Sequence, residues 1–153
     1  MVCGFDRSLN YQNTLNIMTH DQKQKIDLAE TAKQLSEVCF ALANFGLRYP
    51  VQELATLQTL DLSWNQLTDL PESIGQLTQL QKLDLSYNQL TSLPDSISKL
   101  TQLQTLDLSY NRLTDLPDSI SKLTQLQTLN LSGNNITDYS ILDLLPKTTI
   151  VYR

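Results

Sequence analysis

The chain has 153 residues, 41% of them hydrophobic, which is about one domain's worth: enough to bury a core and too few for several independent ones. Eleven Lys and Arg against sixteen Asp and Glu leave a net charge of −5, with the acidic excess in residues 57–153, and this argues against a phosphate-seeking surface and so against nucleic acid as a partner. No apolar run approaches the roughly 18 residues that would cross a bilayer, so a soluble chain with no membrane partner is expected.

Residues 1–18 carry no assignable pattern. They are polar and broken by Asp6, Arg7, Asn10, Gln12 and Asn13, unlike a secretory leader, and Met18 is an alternative start to Met1. Cys3 and Cys39 lie far apart and outside the repeated region, which suggests reduced thiols in a cytoplasmic protein and neither a disulfide framework nor a metal site. Thr19-His20-Asp21-Gln22 has the form of a capping box. Leu28, Ala32, Leu35, Cys39 and Leu42 then recur at alternating four- and three-residue spacing up to Gly46, which predicts an amphipathic helix over about 20–45. Val38, Phe40 and Phe45 broaden its apolar face. Such a face covers the open end of whatever follows, or binds a partner or a second copy. Val51, Leu54 and Leu57 fall in phase with Ile74, Leu77 and Leu80, so residues 19–56 read as a capping helix joined to half a repeat.

Sliding the sequence by 23 positions superposes Leu57 on Leu80, Leu103 and Leu126. The units are LQTLDLSWNQLTDLPESIGQLTQ, LQKLDLSYNQLTSLPDSISKLTQ, LQTLDLSYNRLTDLPDSISKLTQ and LQTLNLSGNNITDYSILDLLPK. None can bury its leucines alone, so the units must stack. Leu60 and Leu62 alternate with Thr59, Asp61 and Ser63, a two-residue period that sends leucines inward and polar side chains outward, and the pattern returns at Leu83/Leu85, Leu106/Leu108 and Leu129/Leu131. Parallel strands about 4.7–4.9 Å apart would line the concave side of an arc. Leu70, Ile74 and Leu77 return inward at spacings that suit a short helical or 3₁₀ turn, which Pro71 can open. Asn65, Asn88, Asn111 and Asn134 form a column beside the inward leucines and must bond backbone groups of neighbouring turns, so they read as a structural ladder. The fourth unit lacks the Leu-Pro pair. Ile141, Leu142, Leu144 and Leu145 suggest a short helix ended by Pro146, and residues 146–153 a terminal cap strand in which Ile150 and Tyr152 continue the leucine columns, with Lys147 and Arg153 discouraging further edge pairing.

The pattern LxxLxLxxNxL followed by LPxxIxxL resembles the leucine-rich repeat over residues 57–145. Its 23-residue spacing and its Leu70-Pro71, Leu93-Pro94 and Leu116-Pro117 pairs are similar to bacterial intracellular repeats, plant Ras-group-related repeats and Ras-signalling scaffolds. The resemblance implies an α/β solenoid, a right-handed superhelix with a parallel concave β-sheet and an N-terminal capping helix. It also implies a cytoplasmic protein-binding module in signalling.

Catalysis finds little support. His20 is the chain's single histidine and no recognised motif sets a nucleophile beside it; there is no Gly-rich phosphate loop and no Cys/His cluster at zinc spacing. No cofactor or metal is expected. Asp61, Asp84 and Asp107 would stack one strand spacing apart, close enough to raise one another's pKa, but on an open surface with no water-excluding pocket. The expected working surface is the concave face. Its columns hold Thr59, Lys82, Thr105 and Thr128, then Asp61, Asp84, Asp107 and Asn130, then Ser63, Ser86, Ser109 and Ser132, with Trp64, Tyr87, Tyr110 and Gly133 alongside and Arg112 on the rim. Partner-binding residues are therefore expected among Asp61, Trp64, Lys82, Asp84, Tyr87, Asp107, Tyr110, Arg112 and Asn130. An aromatic row beside an acidic row suits a basic-aliphatic segment of another protein. Four or five strands span only about 20–25 Å, and five residues of strand add about 16 Å, which is small against the roughly 800 Å² per partner of a stable interface. Weak binding is the expectation. Self-association through the helix or the end strand, or service as a regulatory arm of a larger GTPase or immune-receptor protein, are the alternatives.

Overall fold

The computed structural model describes residue 54 and residues 56–153, all within one compact unit, Gln34–Arg153. The expected N-terminal segment 1–18, the helix over 20–45 and most of the half-repeat lie outside the described residues.

Five three-residue strands, β1 (Thr59–Asp61), β2 (Lys82–Asp84), β3 (Thr105–Asp107), β4 (Thr128–Asn130) and β5 (Ile150–Tyr152), form one parallel sheet in sequence order. Thr59 pairs with Lys82, Lys82 with Thr105 and Thr105 with Thr128, so equivalent residues of successive units sit side by side. Each inward leucine is sealed: Leu60, Leu83, Leu106 and Leu129 are fully buried, with Leu62, Leu85, Leu108 and Leu131 buried one pleat further on. Removing a leucine side chain from water is worth about 1.5–3 kcal/mol, which makes these columns the main attraction between neighbouring units.

The return path is a five-residue 3₁₀ helix in each unit: η1 (Glu72–Gln76), η2 (Asp95–Lys99), η3 (Asp118–Lys122) and η4 (Ser140–Leu144). Pro71, Pro94 and Pro117 precede the first three, with φ between −68° and −72°, and their carbonyls accept from Ile74, Ile97 and Ile120 N–H at 3.0–3.1 Å. Proline's fixed φ presets that entry, and the three-residue hydrogen-bond step swings the isoleucine and the following leucine back onto the core. Ser96 and Ser119, packed where successive turns meet, have buried hydroxyls without a hydrogen-bond partner.

The last unit corrects one expectation. Val151, and neither Ile150 nor Tyr152, pairs with Leu129; Ile150 pairs with Thr128 and Tyr152 with Asn130, so both lie on the polar face, 58% and 53% exposed. The register is held by Ile150 N–H donating to the Gln127 carbonyl and Leu131 N–H to the Tyr152 carbonyl, each at 2.8 Å. The final step is thus 22 residues, and since side chains alternate, one residue of slip exchanges the faces. Of the apolar residues at η4, Leu145 is buried and Leu144 is 64% exposed. Arg153 lies over the Tyr139 ring at 4.8 Å.

Candidate interaction face

The amides of Asn88, Asn111 and Asn134 tie each of their units to the one before it. Asn88 Oδ1 accepts from Asn65 N–H at 3.1 Å and Leu67 N–H at 2.9 Å, while its Nδ2 donates to the Leu62 carbonyl at 2.8 Å and the Leu85 carbonyl at 3.0 Å. Asn111 repeats the arrangement between Leu90 N–H and the Leu85 and Leu108 carbonyls, and Asn134 between Leu113 N–H and the Leu108 and Leu131 carbonyls. Asn65 donates to the Ser63 carbonyl at 2.9 Å.

In the turn that these amides clamp, the residue preceding each asparagine adopts a left-handed backbone: φ is +59° at Trp64, +54° at Tyr87, +53° at Tyr110 and +72° at Gly133, with Gln66 at +57°. Sequence reasoning missed this. Glycine carries no penalty there, whereas a bulky residue pays roughly 1–2 kcal/mol. Gly133 sharing the aromatic column was the one sign in the sequence.

The aromatic row forms a continuous stack. Trp64 and Tyr87 have ring centroids 3.9 Å apart and planes 7° from parallel; Tyr87 and Tyr110 follow at 4.5 Å and 13°. The parallel register sets the rings side by side at about 4.7–4.9 Å, and they close to 3.9 and 4.5 Å in the stack. All three stay exposed, Trp64 most at 69%. Because the rings lie face to face, they offer partners mainly their edges and hydroxyls. The Tyr87 hydroxyl is pushed above its ordinary pKa by desolvation, and further by Tyr110 and Asp107.

The acidic column lies beside the stack, with Asp61, Asp84 and Asp107 in register and Asn130 fourth. Each Oδ1 accepts from the serine two residues on: the hydroxyls of Ser63, Ser86 and Ser109 at 2.7, 2.6 and 2.6 Å, and their N–H groups at 2.9, 3.0 and 2.9 Å. Two expectations are corrected here. Ser86 and Ser109 are buried beneath the aspartates and do not line the open face. Asp61, expected to be raised by its acidic neighbours, is instead held below the usual carboxylate range, first by the Ser63 hydroxyl, then by Ser63 N–H and the charge of Lys82, with desolvation opposing. Two donors aimed at one oxygen outweigh repulsion across an open, solvated surface. Asn130 Nδ2 donates to Asp107 Oδ2 at 3.1 Å. Lys82 is exposed in the threonine column, and Arg112 is exposed two residues beyond Tyr110.

Among the described residues no group of three or more His, Cys, Asp or Glu could hold a metal ion, and no helix is long and apolar enough to cross a membrane. The arrangement is suited to holding a surface against it: rigid ring edges, a row of carboxylate side chains and the cations Lys82 and Arg112.

A family model described as leucine rich repeat matches residues 78–136, and a second, for two copies of the repeat, matches residues 55–100. None of the curated proteins matches the chain. Among solved structures the chain is similar to a leucine-rich-repeat protein of Leptospira interrogans, 42% identical with a TM-score of 0.62 over 67% of this chain and 27% of that one. It is also similar to an internalin of Listeria monocytogenes, 32% identical with a TM-score of 0.56 over 65% of this chain and 28% of that one. The chain therefore spans little more than a quarter of either.

Proposed function

This chain belongs to the leucine-rich-repeat family, whose domains generally mediate protein–protein interaction and are typically not enzymes, and from that premise we propose that it binds a partner protein on the polar face of its sheet. The observation that carries the reading is the exposed Trp64–Tyr87–Tyr110 stack. Its backbone is held in a conformation costly for aromatic residues, in a column where Gly133 occupies the same left-handed conformation without that cost. Strain kept at an exposed surface is best accounted for by a surface that does something, and Trp and Tyr are the residue types that dominate binding energy. Beside them the acidic Asp61, Asp84 and Asp107 column favours a basic-aliphatic segment over any phosphate-bearing partner. The role we assign is that of an adaptor in cytoplasmic signalling, with Lys82 and Asn130 within the face, Arg112 on its rim, and the Asn65, Asn88, Asn111 and Asn134 amides serving the scaffold.

Affinity capture with the wild-type chain and with a Trp64→Gly, Tyr87→Gly, Tyr110→Gly variant tests the reading, glycine being chosen because it accepts the left-handed turn. Capture of a specific protein by the wild type alone is expected, with both chains giving the same circular dichroism. Equal capture would move the site elsewhere.

A second reading has its own support: Ile150 and Tyr152 are exposed on β5, the last strand of the described sheet. Edge strands with apolar faces recruit further strands. If self-association is the main activity, the mass from light scattering will rise with concentration and fall back to that of a monomer in an Ile150→Lys, Tyr152→Lys variant.

A further inference from the structure

Among the described residues the aromatic stack ends at Trp64 in an open ring face. Both sides of the Tyr87 ring are occupied, by Trp64 at 3.9 Å and Tyr110 at 4.5 Å. The other side of Tyr110 meets Gly133, where even an added Cβ would lie 2.8 Å from Tyr110 Cδ1. Among the described residues a ring covers Trp64 on one side alone, and Trp64 remains 69% exposed. Among the described residues Trp64 is the most exposed of the three rings, and a planar group that lies parallel to the indole would extend the stack there.

The chemistry beside Trp64 selects the group. Asp61, on the same strand–turn segment, is exposed, and its Oδ1 takes both Ser63 bonds, so that among the described residues no hydrogen bond reaches Oδ2. Those bonds keep the carboxylate ionised. An aromatic face carries negative charge density and attracts cations, tryptophan most strongly, while a carboxylate oxygen awaits an N–H donor. A neutral ring would satisfy the face and leave the carboxylate unanswered. A lysine ammonium is compact, strongly hydrated and not planar. A guanidinium is flat, weakly hydrated and carries N–H groups in its plane.

We propose that the uncovered face of Trp64, together with Asp61, is the docking site for an arginine side chain of the partner protein. The guanidinium stacks on the indole as the fourth layer of the ladder and donates to Asp61. This inference rests on the reading of the sheet's polar face as the partner surface, and supplies the chemistry by which one end of that face is recognised.

The test is an NMR titration of the full ¹⁵N-labelled chain with three blocked amino acids: N-acetyl-arginine amide, N-acetyl-lysine amide and N-acetyl-citrulline amide. Trp64 is the chain's single tryptophan, so its indole Nε1–H signal is unique. A saturable shift of that signal is expected with the arginine compound, about two- to fivefold weaker binding with lysine, and no saturable shift with citrulline, which is planar but uncharged. In Asp61→Asn the arginine response should weaken by about two- to fivefold while the backbone amide spectrum shows an unchanged fold. Equal responses to arginine and citrulline, or an arginine response untouched by Asp61→Asn, would overturn the proposal. Its failure is separable from failure of the underlying reading. If the triple-glycine variant loses its partner but arginine fails the titration, the partner surface stands and the arginine site falls. If arginine titrates as expected but the triple-glycine variant keeps its partner, the arginine pocket exists and the partner surface lies elsewhere.

Discussion

At Asn111 one side-chain amide answers the N–H of Leu90 and the carbonyls of Leu85 and Leu108, groups contributed by two successive units and buried from solvent. Asn111→Ala leaves them unpaired, and a loss of about 1–3 kcal/mol is expected in denaturant unfolding, against almost none for the exposed Thr114→Ala. Gly133 makes the complementary point about backbone. With φ at +72° and a Cβ position 2.8 Å from the Tyr110 ring, Gly133→Ala should destabilise by about 1–2 kcal/mol and disturb the stack, visible as a change in near-ultraviolet circular dichroism. Asp61 contributes to the pH dependence. Its pKa in the folded chain is below the ordinary 3.8, so the stability it contributes is fully present above that pH and is lost as the pH falls through the folded-state value. Ser63→Ala removes the largest cause, and the Asp61 midpoint in a carboxyl NMR titration should rise; an unmoved midpoint would show that the hydroxyl is not responsible.

At the scale of elements, a three-residue strand and a five-residue 3₁₀ helix are each too short to stand alone, and stacking supplies what they lack. The strand phase was legible because Leu60 and Leu62 alternate with polar residues in four nearly identical copies; the outer turn was legible because Pro71, Ile74 and Leu77 recur with it. The phase of β5 was not, because Ile150, Val151 and Tyr152 are all apolar and offer no alternation to read; backbone pairing decides it. The left-handed turns were hidden as well, since Trp and Tyr are residue types from which no one would infer a positive φ. Ser86 and Ser109 were misplaced because a period of two continues past the end of the strand on paper but not in the turn. Substitution at β5 checks the observed register: Val151→Asp should destabilise by more than 1 kcal/mol, whereas Ile150→Lys should fall within about 0.5 kcal/mol of wild type in urea unfolding. The reverse order would restore the phase expected from the sequence.

For the molecule as a whole, the described units form a nearly one-dimensional array in which each touches its neighbours, so the face available to a partner grows with the number of units. Here that face is short, with the aromatic ladder only two ring steps long, and the chain spans little more than a quarter of the Leptospira and Listeria proteins it resembles. A modest contact anchored by a few rigid aromatic residues and one ionic row follows from that size. The measurement that tests this most directly is amide hydrogen exchange of the full chain with and without its captured partner. The account predicts added protection over residues 59–66, 82–89 and 105–112, the strands and the left-handed turns, with η1, η2 and η3 unchanged. Protection confined to those 3₁₀ helices would contradict it and place the partner on the opposite side of the repeats.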